Sequence, residues 1–143
     1  MGYRFAGFFA KPTIDRPESL SEGAVWRSIS APFEGVGVRL PALIGKSPDP
    51  AEVDRLLQEV GLRTAHDWLY IDYCTWAGRI DCVYGLGVAA GRAFGPLKES
   101  DVNKAKASYL TLMSEFGVQP ADALGFPPFA RGFWGETIRG GRP

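Results

Sequence analysis

Apolar and polar positions alternate most clearly between Trp68 and Leu86, in the run WLYIDYCTWAGRIDCVYGL. Side chains two apart in a strand share a face, so such alternation predicts strands buried on one side. The run divides at Ala77-Gly78 into two strand-like halves, about 68–76 and 79–88, which form a hairpin. An even loop sets Thr75 opposite Ile80, Tyr73 opposite Cys82, Ile71 opposite Tyr84 and Leu69 opposite Leu86, an almost wholly apolar face. An odd loop would mix Arg79 and Asp81 among Ile71 and Tyr73. Ala77 suits a type I′ turn poorly, because both central residues need positive φ. A four-residue loop, Trp76 to Arg79, keeps the same pairing and is the expected connection.

Two helices follow from a different spacing. Asp49, Pro50 and Glu52 form a helix start, and Val53, Leu56, Leu57 and Val60 repeat at helical intervals before Gly61. A second helix begins near Asp101, carries Val102, Ala105, Tyr109, Leu112, Met113 and Phe116 on one face, and stops at Gly117. Tyr3–Ala10 reads as a first strand, and Val36, Val38 and Leu40 as another closed by Pro41. Lys11 to Glu22 is a loop, and Ala24–Ser30 fits a strand or a helical turn. Beyond Pro120 the chain is loop-like, with one turn of helix around Ala121–Leu124 and a Gly-rich basic end that frays. The expected architecture is α+β: an antiparallel sheet around the central hairpin, packed against helices at about 50–60 and 101–116. At 143 residues the chain fits one domain.

Composition narrows the function classes. Hydrophobic residues at 45% and charged residues at 22% describe a globular domain and not a disordered one. Sixteen basic residues balance sixteen acidic ones, so no net field draws the chain to nucleic acid or to an anionic membrane. No apolar run is long enough for a membrane span or a signal peptide. The opening Met-Gly is a weak myristoylation cue, with Ala6 where Ser or Thr is preferred. A cytoplasmic protein is expected.

The expected register also assigns the reactive side chains. Cys82 falls on the core face and Cys74 on the other, which excludes an internal disulfide and fits a reducing compartment. Trp68, Tyr70, Asp72, Cys74 and Trp76 line the second face, with Arg79, Asp81 and Val83 beside them. Asp72 and Asp81 then stand diagonally, Cβ atoms about 7 Å apart. Paired carboxylates at such a spacing can act as acid and base on a glycosidic bond, with Trp68 and Trp76 as sugar-stacking walls. The bland alternative, solvated carboxylates or an ion pair with Arg79, is preferred, because a domain of this size rarely builds so deep a cleft.

Other chemistry is thinner. The single His66 lies eight residues before Cys74, about 26 Å along an extended strand, so a Cys-His nucleophile is not expected. One His and two opposed Cys leave no metal site, and no cofactor is expected. GLGVAA at Gly85–Ala90 resembles a dinucleotide fingerprint, but Gly91, Gly95 and Pro96 cut short the helix it should open. In FPPFARGFWGE, Phe126, Phe129, Phe133 and Trp134 either close a core beneath a loop or, with Arg131 and Glu136, serve as interface anchors.

The Trp- and Tyr-rich hairpin and the FPPFARGFWGE tail resemble, in general character, the immunity proteins of bacterial polymorphic toxin systems. That resemblance implies a non-enzymatic inhibitor that binds one cognate toxin, a nuclease being the case in which acidic residues meet a basic groove and speed association. The docking residues expected are Trp68, Tyr70, Asp72, Trp76, Arg79 and Asp81, with Arg131, Trp134 and Glu136 from the tail. The rival class is a small hydrolase using Asp72 and Asp81. An assembly subunit is a third reading.

Overall fold

The computed structural model describes residues 2–20, 22–130 and 132–135. Arg131, Glu136 and the fraying expected at the C-terminus lie outside them. Six strands, β1 (Gly2–Lys11), β2 (Val25–Ile29), β3 (Gly35–Arg39), β4 (Asp67–Trp76), β5 (Arg79–Ala89) and β6 (Arg92–Glu99), form one sheet in the order β2-β3-β1-β4-β5-β6. Every neighbouring pair is antiparallel. Three helices accompany it: α1 (Pro50–Glu59), α2 (Val102–Glu115) and the short α3 (Pro120–Leu124). The fold is α+β, with the sheet packed against helices. No helix among the described residues is long and apolar enough to cross a membrane.

Both sides of the sheet are covered at its centre, and β1 shows why. Its middle reads Phe5-Ala6-Gly7-Phe8-Phe9-Ala10, a run without alternation, and every residue of it is buried. A strand apolar on both faces needs a layer on each. On one side Phe5, Phe9, Leu69, Ile71 and Val83 pack with Tyr109 and Leu112 of α2, with Phe116 just past its end, and with the C-terminal segment. On the other, Phe8, Val36, Val38, Tyr70, Tyr84 and Leu86 pack with Val53 and Leu57 of α1. The face expected to lie open along Trp68, Tyr70 and Asp72 is therefore largely closed by α1 and the loop before it.

The helix boundaries follow the residues that predicted them. The Asp49 carboxylate accepts the Glu52 N–H at 2.9 Å, Pro50 opens α1, and Gly61 takes φ +83° just past its end. Asp101 caps α2 by accepting the Asn103 N–H at 2.9 Å. At the other end of α2, the Lys11 Nζ donates to the Phe116 carbonyl at 2.8 Å, where a cation complements the helix dipole.

The hairpin departs from expectation twice. Thr75 does pair with Ile80, but Trp76 pairs with Arg79, leaving a two-residue turn in which Ala77 (φ +54°) and Gly78 (φ +78°) both sit in the left-handed region. The register then slips between Cys74 and Thr75: Cys74 faces Cys82, Tyr73 faces Val83 and Asp72 faces Tyr84. Asp81 is the extra residue of a β-bulge. Beyond it every side chain of β5 exchanges faces relative to the simple alternation, so Val83 joins the α2 side while Cys82, Tyr84 and Leu86 join the α1 side.

GLGVAA is no phosphate loop, because β5 runs through Ala89 and a strand follows it. Gly85 lies where α2 comes closest: a Cβ there would stand 2.9 Å from a Leu112 methyl. A second two-residue turn, Ala90 (φ +53°) and Gly91 (φ +77°), returns the chain as β6. Pro96 is accommodated because β6 is an edge strand.

Candidate functional site

The expected binding residues part company along the hairpin. Tyr70 is fully buried, its ring edge-on to Phe8 at 5.2 Å and to Tyr84 at 6.5 Å. Burial raises its phenol well above the ordinary tyrosine range. Trp68 is half-buried and packs edge-on to Phe8. Trp134 is 3% exposed and donates its indole N–H to the Pro128 carbonyl at 2.8 Å. These three belong to the core or its margin. The tail aromatics likewise close the α2 side, with Phe129 stacked on Tyr73 at 4.3 Å and against Phe5 and Phe126.

Asp72 is the one buried charged residue among the described residues, at 4% exposure. One carboxylate oxygen accepts the Gly45 N–H at 2.6 Å, tying the loop before α1 to the sheet. The same loop receives the Tyr84 hydroxyl on the Pro48 carbonyl. Desolvation lifts the Asp72 carboxyl above its usual range, outweighing the Gly45 bond and the attraction of Arg4 and Lys98. Asp72 opens on a narrow cleft of about 190 Å³ that it shares with Arg4, Ser47, Cys82 and Lys98. Asp81 is not among the residues that line that cleft. The bulge at Asp81 thus removes the diagonal register with Asp72 on which the expected carboxylate pair rested. The same bulge overturns the expected separation of the cysteines, since Cys74 and Cys82 share a face and their Sγ atoms lie 2.8 Å apart. The case for a reducing compartment drawn from their separation goes with it.

The larger cleft lies at the turn end of the hairpin, between the β4–β5 turn, the first turn of α2 and α3. It encloses about 500 Å³. Tyr73, Ile80, Tyr109 and Leu124 supply apolar surface, while Arg79 and Lys106 bring two cations, and among the described residues no carboxylate lines it. Burial pushes the Tyr73 phenol up to about 12, so it stays a neutral hydroxyl at neutral pH. Trp76 is 60% exposed and Leu124 is 55% exposed, the two exposed large hydrophobic side chains among the described residues. Leu124 lines the cleft, and Trp76 stands in register with Arg79, which also lines it. Sequence reasoning found Trp76 and Arg79 but missed Lys106 and Leu124. Lys106 was legible only as a polar position on the outer face of α2.

Among the described residues no group of three or more His, Cys, Asp and Glu side chains could hold a metal ion. His66 is exposed in the segment leading into β4. Comparison with protein-family models, curated proteins and solved structures finds no match for this chain. Function rests on geometry and chemistry alone.

Proposed function

We propose that this chain is a non-enzymatic protein-binding domain, an inhibitor of the immunity type that docks on a cognate toxin through the turn end of the β4–β5 hairpin. One observation carries the reading: exposed Leu124 lines a cleft with an apolar floor and a cationic rim, and the other exposed large hydrophobic side chain, Trp76, stands in register with Arg79 of that rim. Isolated exposed hydrophobics are ordinary, but an exposed Trp in register with an Arg that lines a concave apolar site matches the composition of interface hot spots. The rim selects a partner that offers a carboxylate beside an apolar side chain. This changes the electrostatic sense expected from the sequence, because Asp72 faces inward and Arg79 and Lys106 face solvent. A basic nuclease groove loses the acidic counterpart that recommended it. The cytoplasmic location expected from the sequence belongs to this reading.

The glycosidase alternative gains no support, since Asp72 is buried on the Gly45 N–H and Asp81 is not among the residues lining its cleft. The test begins with capture of a partner from the native host by the wild-type chain and by Trp76→Ala. The reading expects a partner held by the wild type alone, whose expression arrests growth and whose effect the wild-type chain relieves. A partner held equally by the variant, or one that is harmless when expressed, contradicts it.

A further inference from the structure

The bulge at Asp81 brings together the chain's two cysteines. Cys74 and Cys82 are directly opposed across β4 and β5, with their Sγ atoms 2.8 Å apart. A disulfide spans about 2.05 Å between sulfurs, so bond formation needs a movement of less than ~1 Å and no change of strand register. Both thiols are half-buried, and Cys82 lines the narrow cleft. Two exposed cations frame the approach: Arg4, which lies opposite Cys74 on β1, and Lys98, which lies opposite Tyr84 on β6. Two carboxylate residues line the same cleft: Asp72 is turned onto the Gly45 N–H, and Glu99 accepts the Asp101 N–H at 3.2 Å.

We propose that Cys74 and Cys82 form a reversible dithiol–disulfide site whose oxidant is an anionic low-molecular-weight disulfide of the glutathione type, steered by Arg4 and Lys98. One protein thiol gives its proton to solvent, and its thiolate attacks a sulfur of the small disulfide. A mixed disulfide forms, and the first small thiolate leaves and takes up a proton. The second protein thiol, deprotonated in turn, attacks the protein sulfur of that mixed bond. The Cys74–Cys82 bond forms and the second small thiolate leaves, also to be protonated. Two protein thiols are oxidised and one small disulfide is reduced to two thiols, so electrons and protons balance. An excess of the small thiol runs the sequence backwards. Burial, and then the contact with Cys74, push the Cys82 thiol up to about 12, which lowers its thiolate fraction and makes it the slower nucleophile. None of this depends on which partner docks at the hairpin end.

The full chain, equilibrated in glutathione buffers of graded ratio and quenched with an alkylating agent, gives the test by intact mass and peptide mapping. The expected product is a monomer two hydrogens lighter than the reduced chain, with the peptides of Cys74 and Cys82 linked, and fully reversed by reduced glutathione. Cys74→Ser and Cys82→Ser should each retain glutathione as a mixed disulfide, because the resolving thiol is gone. Arg4→Gln combined with Lys98→Gln should slow oxidation by oxidised glutathione about tenfold at low ionic strength, while oxidation by a neutral hydroxyethyl disulfide keeps its rate. Two free thiols throughout, mixed disulfides persisting on the wild type, or disulfide-linked dimers as the product would each overturn the site. Equal slowing with both reagents would overturn the steering by Arg4 and Lys98.

Discussion

Replacing Asp72 separates two opposing effects on one buried carboxylate. Its bond to the Gly45 N–H at 2.6 Å is of the charge-assisted kind, which contributes about 1.5–3 kcal/mol. Desolvation acts the other way and is the larger influence on its ionisation. Asp72→Ala removes both. Gly45 is exposed, so water can reach its freed N–H, and the net loss should fall near the low end, about 1–2 kcal/mol. Asp72→Asn keeps an acceptor and removes the charge, and should stay within about 1 kcal/mol of wild type at neutral pH. The pH dependence carries the sign. A carboxyl whose folded value is raised binds its proton more tightly in the folded state. Wild-type stability relative to Asp72→Asn should therefore be greatest below about pH 3.9, the unfolded value. It should decline as pH rises toward the raised folded value, and level off above it. Urea unfolding followed by tryptophan fluorescence across that range reads the difference, and faster hydrogen exchange at the Gly45 amide in Asp72→Ala would show the loop released. A wild type that gains on Asp72→Asn with rising pH would refute the reasoning, because Arg4 and Lys98 would then outweigh burial.

Ala77 holds a left-handed φ of +54°, a conformation that costs a residue with a Cβ about 1 kcal/mol. Ala77→Gly should recover much of that in chemical denaturation, and a loss of stability would mean the turn is not of this kind. Trp134→Ala should cost about 3–5 kcal/mol, the usual range for a buried Trp. An unchanged melting temperature would return Trp134 to the surface. Closing a loop between cysteines eight apart in sequence should stabilise the oxidised chain by about 2–3 kcal/mol on the chain-entropy account, measured as the difference in unfolding free energy with and without reductant.

Where local chemistry decides the structure, the sequence was readable. Asp49, Pro50 and Glu52 set the start of α1, Asp101 caps α2, and Gly61 and Gly117 end both helices with positive φ. The unalternating β1 run was equally plain as a strand, although the two covering layers it implied went unread. Two features had no local signal. The bulge at Asp81 is one, and hairpin parity without it places Cys82 one face away from Cys74. Burial of Asp72 depends on a loop 27 residues away in sequence, which alternation in β4 cannot report. The strand β6 was hidden by Gly95 and Pro96, which look like chain breakers and are tolerated on an edge. Its turn, Ala90-Gly91, repeats the Ala77-Gly78 pair of the first hairpin, a cue the sequence does contain.

The most direct test of the docking surface is the affinity of the purified partner for the wild-type chain, Trp76→Ala and Trp68→Ala, with each variant shown to be folded. Docking at the hairpin end predicts that Trp76→Ala costs about 2 kcal/mol or more, roughly 30-fold in Kd, while half-buried Trp68→Ala costs far less. A Trp76→Ala variant that binds within about 1 kcal/mol of the wild type would contradict it.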